Sequence, residues 1–392
     1  MTLFEKAARV FPGRTDSATG CRVLRLATRS QPPTGFEKVD VWRTFYHQHN
    51  PFLDGGRRVV VRSGAQEARR WRDVAFDLET GACAELACGS PVATIVEVSP
   101  GGLAARIERT PGSTPGSNVI LADVDTGKTL NRLDTPDWLV PQIKFLDDRT
   151  LCVGVRQGKP YDEPCRSRFY VLDASGAPPR LVLEEEGFFC NHMMPRPGHP
   201  DQYSYDRWPT PKKQISVITR LRTRDGSRDW VVPLAADAVP CGPIWGGQRD
   251  HYLWSADGRH IVSYFSTGPE GLPDHYDFVW WLNRWDVETG RDTAVLYPPE
   301  RWGCNFAITP DGRYVVSAGG RGHQFLYRVD LTRLEAGWNE QTLCAYPYSE
   351  ESGLNHGSPH MPHVLPDGSG VVFCAGWPGP DDGAYLVEMP AE

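Results

Sequence analysis

The segment Asn355-His356-Gly357-Ser358-Pro359-His360-Met361-Pro362-His363 places three histidines within eight residues, just ahead of a strand-and-turn signature. Imidazole is the commonest metal ligand and the side chain that titrates nearest neutrality. The chemistry open to such a run is therefore metal coordination or capture of an acidic group. A metal site needs further donors from elsewhere in the chain, and the competing reading is a His-rich surface turn. Three more segments are rich in His and Arg: Tyr46-His47-Gln48-His49-Asn50, Cys190 to His199 (CNHMMPRPGH), and Gln248-Arg249-Asp250-His251-Tyr252. Together the four hold most of the eleven histidines. Any one of them can be a structural imidazole, but the set, standing at one place in a repeat, reads as a functional site. Arg168, in CRSRFYVLD, is either a rim charge or an inward-pointing anion clamp. The run Glu184-Glu185-Glu186 reads as a solvated turn, and Trp280, Trp281 and Trp302 read as packing rather than as sugar platforms.

The elements that must position these residues announce themselves by repetition. A polar turn followed by a valine-rich strand occurs in LDGGRRVVVRS from Leu53, SADGRHIVSYF from Ser255, TPDGRYVVSAGG from Thr309 and LPDGSGVVFCAG from Leu365. Weaker copies begin at Ser99 and Phe145, and a degenerate one lies between Gly198 and Tyr205. Asp-Gly between alternating runs is a hairpin signal, because glycine accepts the positive φ of a tight turn. A second turn alternates with the first: DLETG at Asp77, DVDTG at Asp123, DASG at Asp173, RDG at Arg224 and DVETG at Asp286. Two hairpins per period of about 45 to 60 residues predict four-stranded blades around an axis. The expectation is an all-β, seven-bladed β-propeller occupying 1–392 as one domain. Asp16 to Ala27 lacks the first half of a hairpin and the strand from Ala384 lacks the second. The N- and C-terminal strands are thus expected to share the closing blade, which protects their edges. Helical periodicity with caps is hard to find, so short helical turns are all that is expected.

In a propeller the segments leading into the innermost strands converge on the axis, and the four His-rich segments are assigned there. The formal charge of −7 argues against a general nucleic-acid binder, and any acidic ligand must be met by a local cluster of cations. No stretch approaches the ~20 apolar residues of a membrane span, and the first residues lack the apolar core of a secretory signal. The cytoplasm is the expected location, with the periplasm as the alternative. Ten cysteines are scattered without a C-x-x-C pair, so most are expected to be small buried hydrophobes.

The order of these segments resembles the oligogalacturonate lyases, seven-bladed propeller enzymes that split short pectin fragments, and the likeness runs over most of the chain. DSATGCRVLRLA is similar to the family's Asp-Pro-x-Thr-Gly start, and Tyr46-His47-Gln48 with Phe52-Leu53-Asp54-Gly55 to its first blade. The resemblance implies that His192, in HMMPRP, is the general base, that His251, in HYLWSADG, is a metal ligand, and that Arg168 is the catalytic arginine. It also implies a divalent metal, manganese in the family. This chain departs at the last segment, where the family has Gln-x-x-His-x-His. His356 falls on the glutamine, while Pro359 and Met361 fall on the two histidines. His360 or His363 must then complete the sphere, and a set heavy in imidazole also tolerates zinc, iron or nickel. His47, His49, His199 and Arg249 are left as substrate-binding candidates.

The resemblance further implies an acidic oligosaccharide as partner and β-elimination from a 4-linked uronate as reaction. The C5 proton is poorly acidic beside an ionised carboxylate, so the carboxylate must be neutralised before a histidine can remove it. The alternatives are a lyase acting on glucuronate- or ulvan-type oligosaccharides and a non-catalytic propeller that binds a sugar or a protein. A serine-peptidase propeller is excluded by the absence of a Gly-x-Ser-x-Gly elbow.

Overall fold

The computed structural model describes residues 1–39, 41–46, 48–65, 70–89, 93–109, 117–158, 163–209, 217–232, 248–267, 279–298, 301, 305–319, 324–346, 361–375 and 383–391. Among these the strands form seven antiparallel sheets in a seven-bladed propeller. The innermost strands of the second to fifth blades are Ala93–Val98, Leu139–Phe145, Phe188–Pro195 and Gln248–Trp254. Those of the sixth and seventh are Phe306–Ile308 and His363–Val364. Valine-rich second strands follow each Asp-Gly turn, and their alternate residues form the apolar layers between neighbouring blades. Leu103, Leu121 and Leu133 of the second blade, for example, pack on Phe145, Leu151 and Val153 of the third.

Closure follows the expectation. The strand Arg22–Thr28 pairs with Gly383–Glu388, which pairs in turn with Gly370–Ala375, so both ends of the chain build one sheet. The helix Leu3–Ala7, capped reciprocally by Thr2 and Glu5, drops Phe4 into the cluster beneath that blade. It is short, as the missing 3.6-residue periodicity requires.

The second turn type recurs because its aspartate completes the turn itself. Asp123 accepts from the Thr126 amide and hydroxyl, and Asp77 from the amides of Glu79 and Thr80. One glycine of the first type has a further task. Gly258 has φ 66°, and a β-carbon there would run into the Pro197 carbonyl. The Gly258 carbonyl accepts from Arg196 Nε at 2.8 Å, locking the hairpins of the fourth and fifth blades together. Of the eight cysteines described, seven are buried.

The first blade departs from regularity in a way that matters below. Its inner strand is broken into Val41–Arg43 and Phe52–Leu53, both paired with Arg58–Ala65. Arg43 faces Arg62 and Phe52 faces Val59. Residues 44–51 therefore stand opposite only Val60 and Val61, and the surplus is extruded as an excursion.

Candidate functional site

Irregularities of the inner strands build the site. In the fourth blade the ladder pairs Asn191 with Asp206 and then slips to Met194 with Ser204, leaving a β-bulge at His192 and Met193. His192 has φ 46°. A left-handed conformation is costly for a residue with a β-carbon and is retained where the surroundings enforce it, which is commonly at functional sites. Here it separates two side chains that a regular strand would space evenly: Met193 fills a core cluster, while the His192 ring meets groups from the first and fifth blades. The fifth blade repeats the device. Its ladder slips between Asp250 and Tyr252, and the bulged residue, His251, has φ 52°. The two imidazoles lie with centroids 4.9 Å apart. The His-rich segments are thus not loops ahead of the inner strands, as expected; Cys190 to Pro195 and Gln248 to Tyr252 are the inner strands, with the histidines at their bulges.

His192 is oriented from behind. Its Nδ1 lies 3.0 Å from Asp206 Oδ2, and Trp208 Nε1 donates to the same oxygen at 2.6 Å. Asp206 is completely buried. Oδ2 already accepts from Trp208, and acting as an acceptor toward the imidazole as well it favours the tautomer with the proton on Nδ1 and the lone pair on Nε2. That Nε2 lies 3.1 Å from the Tyr46 hydroxyl and 3.4 Å from Asn191 Nδ2. Gln142 of the third blade steadies Asn191 through a 2.8 Å bond.

Tyr46 arrives from the first blade on the extruded 44–51 segment. Its ring lies 6.2 Å from that of His192, nearly parallel, and 6.1 Å from that of His251. The excursion is tied down on several sides: Gln48 Nε2 donates to the Tyr252 carbonyl, Thr44 to the Met361 carbonyl and Asn50 to the Val98 carbonyl. These donors are side chains of the excursion, and each reaches a backbone carbonyl outside it.

The remaining candidates fall in different places. His49 packs beside a buried ion pair, Lys144 Nζ to Glu97 Oε1 at 2.7 Å, and burial lowers its pKa. Glu97 also accepts from the amides of Phe145 and Asn50. These groups line a cavity of about 510 Å³ at the far ends of the inner strands, together with Trp254 and His363. His363 is buried; its Nε2 faces the Phe45 carbonyl at 3.0 Å, its ring packs edge-on against Phe52, and burial pushes its pKa down to about 4. That is the setting of a neutral brace between the seventh and first blades. His199 lies in the turn after Phe188–Pro195, its amide bonded to the Arg196 carbonyl.

Arg168 stands on Arg166–Asp173, the third strand of its blade and two strands from the innermost, roughly 10 Å by strand spacing. It donates to Glu184 at 2.6 Å and lies over the Trp138 ring. The acidic run is likewise no solvated turn. It ends the strand Arg180–Glu186, and buried Glu185 holds Arg207, Arg228 and the Tyr205 hydroxyl. Trp280 packs against the core between the fifth and sixth blades. His47, His356, His360 and Trp302 lie outside the described residues, as does the side chain of Arg249 on its inner strand. Among the described residues, no group of three His, Cys, Asp or Glu is arranged to hold a metal.

Asp206 and Tyr46 were not singled out from the sequence. The available signal for Asp206 was an aspartate inside the aromatic strand Tyr203-Ser204-Tyr205-Asp206-Arg207-Trp208, where a carboxylate must be buried and must therefore have a purpose.

No family model matches this chain, and no curated protein matches it. Solved structures do. An oligogalacturonate lyase in complex with manganese shares 16% identity over 97% of this chain and 96% of its own, with a TM-score of 0.70. An oligogalacturonate lyase from Vibrio parahaemolyticus shares 14% over the same proportions, with a TM-score of 0.67. The β-propeller domain of the Trilobed protease from Pyrococcus furiosus also matches, at 16% identity over 88% of this chain and 95% of that one, with a TM-score of 0.52. Such likeness establishes a common fold; function has to come from the side chains.

Proposed function

We propose that this chain is a carbon–oxygen lyase that cleaves 4-linked uronate oligosaccharides by β-elimination, with His192 as the general base. The observation that carries the reading is the buried Asp206–His192 pair, whose ring lies with its centroid 4.9 Å from that of a second imidazole, His251, held by an equally strained backbone. The fold shared with oligogalacturonate lyases supports it.

The chemistry comes from the residues. Asp206 keeps the His192 proton on Nδ1, leaving Nε2 as an acceptor, and stabilises the imidazolium formed once the C5 proton arrives. Proton removal by a positioned base is typically worth about 10²- to 10⁴-fold. The divalent cation named in the similar structure is assigned to His251, with His356 and His360 as the further donors. The fit rests on a single described imidazole in a strained bulge, and on the suitability of imidazole for borderline cations. When bound, such a cation neutralises the uronate carboxylate and makes the C5 proton acidic. Arg249, carried on the same inner strand as His251, replaces Arg168 as the proposed guanidinium, since Arg168 is engaged by Glu184.

The test is to mix the protein with 4-linked uronate oligomers in the presence of divalent metals and to monitor the ultraviolet absorbance of unsaturated products. Turnover that falls by about 10²-fold or more in His192→Ala, at unchanged metal content, is the expected result. Binding of the oligomers without any product would instead make the chain a sugar-binding propeller.

A further inference from the structure

Resting on that reading, we infer that Tyr46 is the acid that protonates the departing C4 oxygen, and that the substrate is therefore a gluco-configured 4-linked uronate, cleaved by syn elimination. The Tyr46 hydroxyl stands 3.1 Å from His192 Nε2, although the two residues come from the first and fourth blades. It is brought there by the 44–51 excursion, which is anchored through Gln48 to Tyr252, through Thr44 to Met361 and through Asn50 to Val98. So much anchoring for a segment that breaks an inner strand argues for a positioned group rather than a slack loop.

The stereochemical consequence is geometric. An acid and a base must each come within about 2.6–3.2 Å of the atom served. If they approached a pyranose from opposite faces, the ring between them would hold them roughly 6 Å or more apart. Two groups at hydrogen-bonding distance serve one face. In a gluco-configured 4-linked uronate the C5 hydrogen and the C4 oxygen project from the same face; in the galacto-configured epimer they project from opposite faces.

The proton balance closes within the chain. His192 Nε2 takes the C5 proton, the C–H electron pair becomes the C4=C5 double bond, and the C4–O4 bond breaks. O4 takes the Tyr46 hydroxyl proton, and the imidazolium returns its proton to the tyrosinate across their hydrogen bond. One proton has moved from C5 to O4, and both residues end as they began.

The experiment compares 4-linked oligoglucuronate with 4-linked oligogalacturonate of equal length on the intact protein and on Tyr46→Phe, which keeps the ring and removes the hydroxyl. Two readouts are taken: unsaturated product, and deuterium incorporated at C5 of recovered substrate in D₂O. The expected result is product mainly from oligoglucuronate, lost by about 10²-fold in Tyr46→Phe while C5 exchange persists. Product from oligogalacturonate alone, or undiminished turnover in Tyr46→Phe, overturns the inference and leaves the lyase reading standing. No product from either oligomer overturns both.

Discussion

His192 and His251 sit at matching bulges in the inner strands of successive blades, with φ values of 46° and 52° and rings 4.9 Å apart. Neither conformation suits a residue with a β-carbon, which costs roughly 1–2 kcal/mol relative to glycine in the left-handed region. Glycine at either position should therefore give a more stable protein than alanine, by about that amount. Urea denaturation of His251→Gly and His251→Ala measures the difference; equal midpoints would mean that the bulge relaxes when the imidazole is gone.

Asp206→Asn tests the orientation of the base. The substituted amide no longer demands the proton on Nδ1, so the tautomer with Nε2 protonated gains population and the base is blocked. Turnover should fall by about 10²- to 10⁴-fold with substrate affinity retained. The imidazole nitrogen-15 shifts of His192 report the exchange of roles directly. Shifts identical to those of the parent protein would show that Asp206 does not set the tautomer.

The buried pair Glu97–Lys144 supports the excursion from below, through the Asn50 amide. Lys144→Met leaves the Glu97 carboxylate buried without its cation, which should cost about 3–5 kcal/mol. Pairing it with Glu97→Leu should recover most of the loss. In the parent, the Lys144 charge and its hydrogen bond help hold the Glu97 pKa below the usual carboxylate range. The pair's contribution is then present above the unfolded carboxylate pKa and lost as pH falls through the folded value. In Lys144→Met the carboxylate protonates at higher pH, so acidification should narrow the gap between mutant and parent. A constant gap between neutral and acid pH would contradict the burial argument.

His363 gives an acid limb of a different kind. Unfolded, it protonates near pH 6.5; folded, burial holds its pKa to about 4. Between those values the unfolded chain binds the extra proton, so stability rises with pH across the window, by up to about 3 kcal/mol at ~1.4 kcal/mol per unit. His363→Gln keeps a donor for the Phe45 carbonyl and removes the titration. Its stability profile should be flatter between pH 4 and 6.5; a slope equal to the parent's would assign that limb to other groups.

How much was legible depends on how local the signal is. The Asp-Gly and Asp-x-x-Thr-Gly turns show in sequence because each is completed by its own side chains and its glycine's positive φ. The shared closing blade showed as two unmatched half-hairpins. The segments of His192 and His251 stood out by composition and the two residues by the family resemblance, and the structure brings them together. Arg168 stands on the third strand of its blade, bonded to Glu184, a setting that depends on strand order within the blade and not on position near a His-rich segment. His363 and His199 share the composition of their segments but not their setting: one is bonded to a carbonyl, the other lies in the hairpin turn that follows its strand.

By itself, then, the sequence determined the all-β repeat, the number of blades and the way the ring closes, since turn chemistry and two-residue alternation are properties of neighbouring residues. Only the tertiary structure decided that Tyr46 would meet His192 and that Asp206 would stand behind it. Those contacts depend on a one-residue slip in one ladder and an eight-residue excursion in another. Nothing local fixes either feature; each persists because groups from distant blades bond to it.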